Sequence, residues 1–253
     1  MILASGTRVL HFERIDSTNA EARRLCEAGE RGPLWIRADE QTGGRGRLGR
    51  NWVSEPGNLY ATRLFTTPAG PHAAAQMSLV AALAVHAVVA QLLPHRPAAI
   101  KWPNDVLVGG AKICGILAEI VGQSPTTIAL GCGINIAHAP QGTPYPVTAL
   151  AREGATATVE TVFQKLDASL LKYMTIWSDE AGFDAIRTLW CDRAIGLGGA
   201  VTVRSGAEDT TGIFHGLAPD GALILALADG SHKTIHAGDV RFAAVEALRN
   251  ATR

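Results

Sequence analysis

Two short stretches hold the residues best suited to chemistry. The first, QTGGRGRLGRNW from Gln41, packs four glycines, three arginines and a tryptophan into twelve residues with no acid among them. Gly43, Gly44, Gly46 and Gly49 let the backbone approach a ligand closely. Arg45, Arg47 and Arg50 carry permanent, planar charges matched to phosphate or carboxylate, and Trp52 is placed to stack on a flat ligand. The bland alternatives are a solvated loop with incidental arginines and a core tryptophan. The loop lacks the glycine-lysine-serine ending of a P-loop, and a strand-like run rather than a helix follows it, which excludes the dinucleotide fingerprint. The second stretch, KWPNDVLVGGAKICGIL, puts Asn104 and Asp105 in a turn after Pro103 and Lys112 on the strand beyond. Lys112 could point back at the same space as the turn; the bland alternatives are a surface lysine and an aspartate that only forms the turn.

The rest of the chain must position these groups. It has 253 residues, with 23 Lys+Arg against 23 Asp+Glu. That balance argues against a general nucleic-acid binder and makes any anion site local. The four cysteines, Cys26, Cys114, Cys132 and Cys191, show neither CxxC nor metal-ligand spacing and suit a reduced interior. The most apolar run, AAAQMSLVAALAVHAVVAQLL, contains Gln76, Ser78 and His86 and reads as a core helix, not a membrane span. With no secretory leader at the start, the expectation is a cytoplasmic protein.

DSTNAEARRLCEAG reads as a helix capped by Ser17 or Thr18 and ended by Gly29. PLWIRADEQ and NLYATRLFTT read as strands, the second alternating. The long helix runs over about 71–93 and stops at Pro94. Residues 98–136 are strand-rich, with Gly109-Gly110 as a tight turn. Two helical patterns follow, and from Gly196 the text becomes short strands punctuated by Asp220-Gly221 and Asp229-Gly230, a small β-barrel. The expected division is 1–195 and 196–253.

DSTN, QTGGRGRLGRNW, GNLY, KWPNDV, KICGILAE and GCGIN occur in that order, and together they resemble the biotin protein ligases. The resemblance covers about residues 16–136 and extends through the terminal barrel. It implies an α+β fold: a mixed sheet with flanking helices, as in class II aminoacyl-tRNA synthetases, plus an SH3-like C-terminal domain. It implies ATP and biotin as substrates, Mg²⁺, a biotin carboxyl carrier domain as partner, and a homodimer joined at the sheet edge. It places Ser17, Thr18, Asn19, Gln41, Gly44, Arg45, Trp52, Lys112 and Gly115 around biotin. Arg45, Arg47, Arg50, Trp52, Asn104, Asp105, Lys112 and Asn135 would surround the adenylate. Arg45, Arg47 and Lys112 would be catalytic, with Asp105 toward Mg²⁺.

Two positions depart from the family pattern: Leu48 stands where a polar or basic residue is common, and Gly43 where alanine is frequent. The resemblance begins near Phe12, so the expected form is the monofunctional ligase without a DNA-binding domain. The implied product is a mixed anhydride that water destroys, so the glycine-hinged loop is expected to close over it as a latch. The rivals are a lipoate ligase with the same chemistry, a nucleic-acid module that reads the arginines as phosphate contacts, and a non-catalytic relative.

Overall fold

The computed structural model describes residues 2–242; the last part of the expected C-terminal unit, 243–253, lies outside the described residues. A seven-stranded sheet forms the body. Its strands are β1 (Arg8–Ile15), β2 (Leu34–Gln41), β3 (Leu59–Thr67), β4 (Ala98–Lys101), β5 (Asp105–Val108), β6 (Ala111–Gln123) and β7 (Thr126–Ile134), in the order β1-β2-β3-β7-β6-β5-β4. β1 and β2 are parallel and every other neighbour is antiparallel, so the sheet is mixed.

Helix α1 (Thr18–Glu27) covers one face, where Ala22 and Cys26 pack on Leu34, Ile36, Leu64 and Ala129. The other face carries α2 (Ala73–Leu92), with α3 (Val159–Trp177) and α4 (Phe183–Cys191) against it. α2 is apolar enough and long enough to span a membrane, but two thirds of its most hydropathic window is buried inside the protein. Its polar side chains find partners within the fold: Gln76 Oε1 accepts from the Trp177 indole, and His86 Nε2 lies 3.1 Å from the Ala98 carbonyl.

This layering overturns one expectation. β3 does not alternate; only Thr66 is exposed, because helices cover the sheet on both sides. Arg63 of β3 is accordingly buried against Asp167, 3.1 Å away, and Asp167 also accepts from the Trp35 indole at 2.8 Å. β1 is an edge strand on which only Val9 is buried and the charged residues are exposed.

A second, five-stranded antiparallel sheet follows. Its strands are β8 (Ala200–Ser205), β9 (Glu208–Leu217), β10 (Leu223–Ala226), β11 (His232–Ile235) and β12 (Asp239–Phe242), in the order β11-β10-β9-β8-β12. The two expected Asp-Gly turns join β9 to β10 and β10 to β11. The two sheets share one core: Phe214 meets the edge of Trp190 at 6.4 Å, and the Trp102 indole donates to the Gly221 carbonyl at 3.2 Å. Asp239, at the start of β12, meets Arg50 of the arginine-bearing loop.

Candidate active site

One pocket gathers most of the chemically suited residues. Its wall includes Ser17, Thr18, Asn19 and Gln41 at one end, Arg45, Arg47, Arg50, Asn104, Asp105 and Lys112 at the other, and Trp52 and Gly115 between them. The first group comes from the start of α1 and the end of β2. Ser17 is the helix N-cap, its Oγ accepting from Ala20 N, while Gly29 beyond the helix takes a φ of 98°. The Gln41 side chain is locked: Oε1 accepts from Thr18 N at 2.8 Å and Nε2 donates to Ser54 Oγ at 2.9 Å.

The cationic end is built by the loop and by the β5–β6 hairpin. Gly109 and Gly110 both take positive φ at the hairpin tip, which returns Lys112 toward Asp105. Lys112 Nζ lies 2.7 Å from Asp105 Oδ1, and its ammonium sits 5.2 Å from the Trp52 ring and 5.5 Å from the Tyr145 ring. Burial pushes the Arg47 guanidinium down from the ordinary arginine value, with Asp239 and Asp105 opposing that shift. Arg47 donates to Asn104 Oδ1 and to the Gly238 carbonyl, each at 3.4 Å. Arg50 donates to both carboxylate oxygens of Asp239 at 2.7 Å, and this raises its affinity for the proton. Arg45 reaches Glu119 at 3.8 Å. Residues 43–50 thus arch over the pocket, and a single 3₁₀ turn at Arg47–Gly49 leaves Leu48 exposed at φ 57°.

Trp52 occupies a seat that only glycines leave open. A Cβ at Gly133 would lie 2.6 Å from its ring, and one at Gly115 2.8 Å. Among the described residues its indole N–H finds no acceptor. Two sequence candidates lie off the wall. Gly44 packs against the returning limb of its own loop, where a Cβ would stand 2.4 Å from the Trp52 carbonyl oxygen and 2.6 Å from Ser54 Oγ, and Asn135 is buried, donating to the Thr148 carbonyl at 2.9 Å. Sequence reasoning missed Tyr145, Ser54, Glu119, Lys101 and Asp239. Lys101 stands opposite Asp105 in the β4–β5 register, and burial pushes its pKa down. Among the described residues no three His, Cys, Asp or Glu side chains converge as a metal site.

The pocket thus joins a neutral polar end to a cationic end able to receive anionic groups. The profile of the Biotin/lipoate A/B protein ligase family matches residues 11–135, and that of the biotin protein ligase C-terminal domain matches residues 196–242. A Paracoccus denitrificans protein named biotin–[acetyl-CoA-carboxylase] ligase is 40% identical, with 90% of this chain and 98% of that one aligned. The Bacillus subtilis bifunctional ligase/repressor is 28% identical, covering 93% of this chain and 74% of its own length. The Aquifex aeolicus biotin protein ligase in complex with biotin and ATP superposes with a TM-score of 0.80 at 27% identity, over 93% of this chain and 99% of that one. The chain belongs to the biotin protein ligase family.

Proposed function

We propose that the pocket joins biotin to AMP and then hands the biotinyl group to a lysine of a biotin carboxyl carrier domain. In the first step a biotin carboxylate oxygen bonds to the α-phosphorus of ATP, and pyrophosphate leaves with the broken P–O bond. In the second, the carrier lysine's amine attacks the acyl carbon and AMP departs. The observation that carries this reading is one continuous pocket whose neutral end suits a polar, uncharged ring and whose other end holds three arginines and a lysine.

At the cationic end Arg45, Arg47 and Lys112 are the catalytic groups, meeting the carboxylate and the phosphates. Fixed donors in a partly dry site need no reorganisation as charge shifts between the two anions. Ser17, Thr18, Asn19 and Gln41 hold the ring, and Trp52 and Gly115 flank the chain between ring and carboxylate. Gly44 shapes the loop, and Asn135 braces the segment that carries Tyr145, on the adenylate side. Arg50, with Asn104, completes the adenylate wall. Asp105 is a single carboxylate, which is a fitting protein share of a Mg²⁺ ion whose remaining ligands are phosphate oxygens and water. Such an ion, when bound, neutralises phosphate charge.

The same reading takes residues 1–195 as the catalytic unit, related in fold to class II aminoacyl-tRNA synthetases, and 196–253 as an SH3-like unit. The switch from helices to short antiparallel strands after α4 supports it. The same reading takes the chain as a cytoplasmic ligase, which the three buried free thiols suit, that engages protein rather than DNA, which the equal acid and base counts suit; the homodimer is carried over from the family resemblance. The test is incubation of the protein with biotin, MgATP and a carrier domain, followed by mass spectrometry of the carrier. A single biotinyl addition at one lysine is expected; modification by lipoate but not biotin would refute the assignment.

A further inference from the structure

The neutral end of the pocket has a polarity that can be read by counting protons. Asn19 Nδ2 donates to Glu119 Oε2 at 2.7 Å and to the Leu117 carbonyl at 3.3 Å. Both partners are acceptors, so the amide cannot be turned round, and its Oδ1 faces Thr62. Thr62 Oγ1 donates to Asn19 Oδ1 at 2.6 Å. That uses the one proton Thr62 has. Thr18 Oγ1 lies 2.8 Å from Thr62 Oγ1 and 3.1 Å from Gln41 Oε1, so the single Thr18 hydroxyl proton goes to one of these two protein oxygens. Toward the pocket, Thr18 therefore offers lone pairs only. Its neighbour has the opposite sense. Ser17 Oγ accepts from Ala20 N as the helix cap, which leaves its own proton to give away.

We infer that Thr62, Asn19 and Glu119 are positioning residues that hold Thr18 as an acceptor beside the donor that the helix cap makes of Ser17, so that the site selects a ligand edge with a carbonyl next to an N–H. This rests on the reading of the pocket as a biotin site and deepens it. A cyclic urea presents that edge; the dithiolane ring of lipoate presents neither group. Thr62 is fully buried on β3 behind Thr18, and Asn19 and Thr18 are almost as buried, so water does not compete for these bonds. Gly131 on β7 belongs to the same device, since a Cβ there would overlap the Asn19 amide. Glu119, at the end of the relay, also faces two guanidinium groups, Arg45 at 3.8 Å and Arg23 at 3.6 Å.

The test uses the full chain, biotin titrated by calorimetry, and ATP Michaelis constants. Thr62→Val keeps the shape of the side chain and removes the hydroxyl; Thr62→Ala removes it with less bulk, in case valine disturbs folding. Each should weaken biotin about tenfold or more, the scale of one buried hydrogen-bond network broken. The ATP constant should not move, and Thr62→Ser should bind biotin within about twofold of wild type, which a purely structural role for Thr62 does not predict. If wild type binds biotin and both hydroxyl-free variants bind it as well, the relay is overturned and the biotin reading stands. If wild type takes up no biotin, the biotin reading itself has failed and the inference falls with it.

Discussion

Replacing Asp239 with alanine removes the only carboxylate that the second sheet, among the described residues, places on the pocket wall. Gly238 sets its position, because a Cβ there would stand 2.7 Å from Val203 Cγ1, so β12 can run close to β8 only with glycine at its entry. Both Asp239 carboxylate oxygens then accept from Arg50 Nη2 at 2.7 Å and hold the loop across the pocket. The size of the effect follows from exposure. The two side chains are 47% and 46% exposed, so solvent screens the pair and its worth is about 0.2–1 kcal/mol. Converted to populations, the variant should open the loop roughly 1.4- to fivefold more often. The assay is escape of labelled biotinyl-adenylate into a chase of unlabelled biotin. Asp239→Ala should release it faster by that factor, and the gap should narrow as salt shortens the reach of the pair. Slower release would refute the reasoning, since Asp239 would then be competing with the ligand for Arg50 instead of holding the loop over it.

Three further outcomes follow from the same geometry. Gly133→Ala should push Trp52 from its seat; overpacking of about 1–3 kcal/mol predicts roughly five- to 150-fold weaker biotin binding, and calorimetry giving wild-type affinity would contradict it. Asp16 is lowered to about 2, mainly by its hydrogen bonds from Arg24, so its contribution is complete above its usual 3.8 and lost as pH falls through about 2. The difference in melting temperature between wild type and Arg24→Gln should therefore be flat above about pH 4 and vanish near pH 2; a difference that grows with acidity would be wrong in sign. Burial pushes the Cys132 thiol up to about 12, so although it lines the pocket it should resist iodoacetamide at pH 8, and rapid alkylation seen by mass spectrometry would show the thiol is not held as described.

What the sequence made legible was local. The α1 cap at Ser17, the Gly109-Gly110 hairpin and the two Asp-Gly turns each rest on a few adjacent residues with strong backbone preferences, and each stands where it was expected. The arginine loop and the KWPND turn were legible as chemistry only in combination, since either alone also serves as a solvated loop or a plain turn. β1 was missed because one open edge blurs its pattern, and β3 was misread as alternating because period two fails when both faces are covered. Glu119, Thr62 and Asp239 were invisible for another reason. Their partners lie far along the chain, as in Asn19 to Glu119 or Arg50 to Asp239, and no local pattern encodes a contact of that range.

The most direct measurement is biotin-dependent exchange of labelled pyrophosphate into ATP, run with wild type and Lys112→Ala. Lys112 stands 2.7 Å from Asp105 at the cationic end, and loss of one such fixed donor typically costs about 10²–10³ in rate. The account predicts exchange that needs biotin and falls by that factor in the variant. Exchange at the wild-type rate in Lys112→Ala, or exchange that ignores biotin, would contradict it.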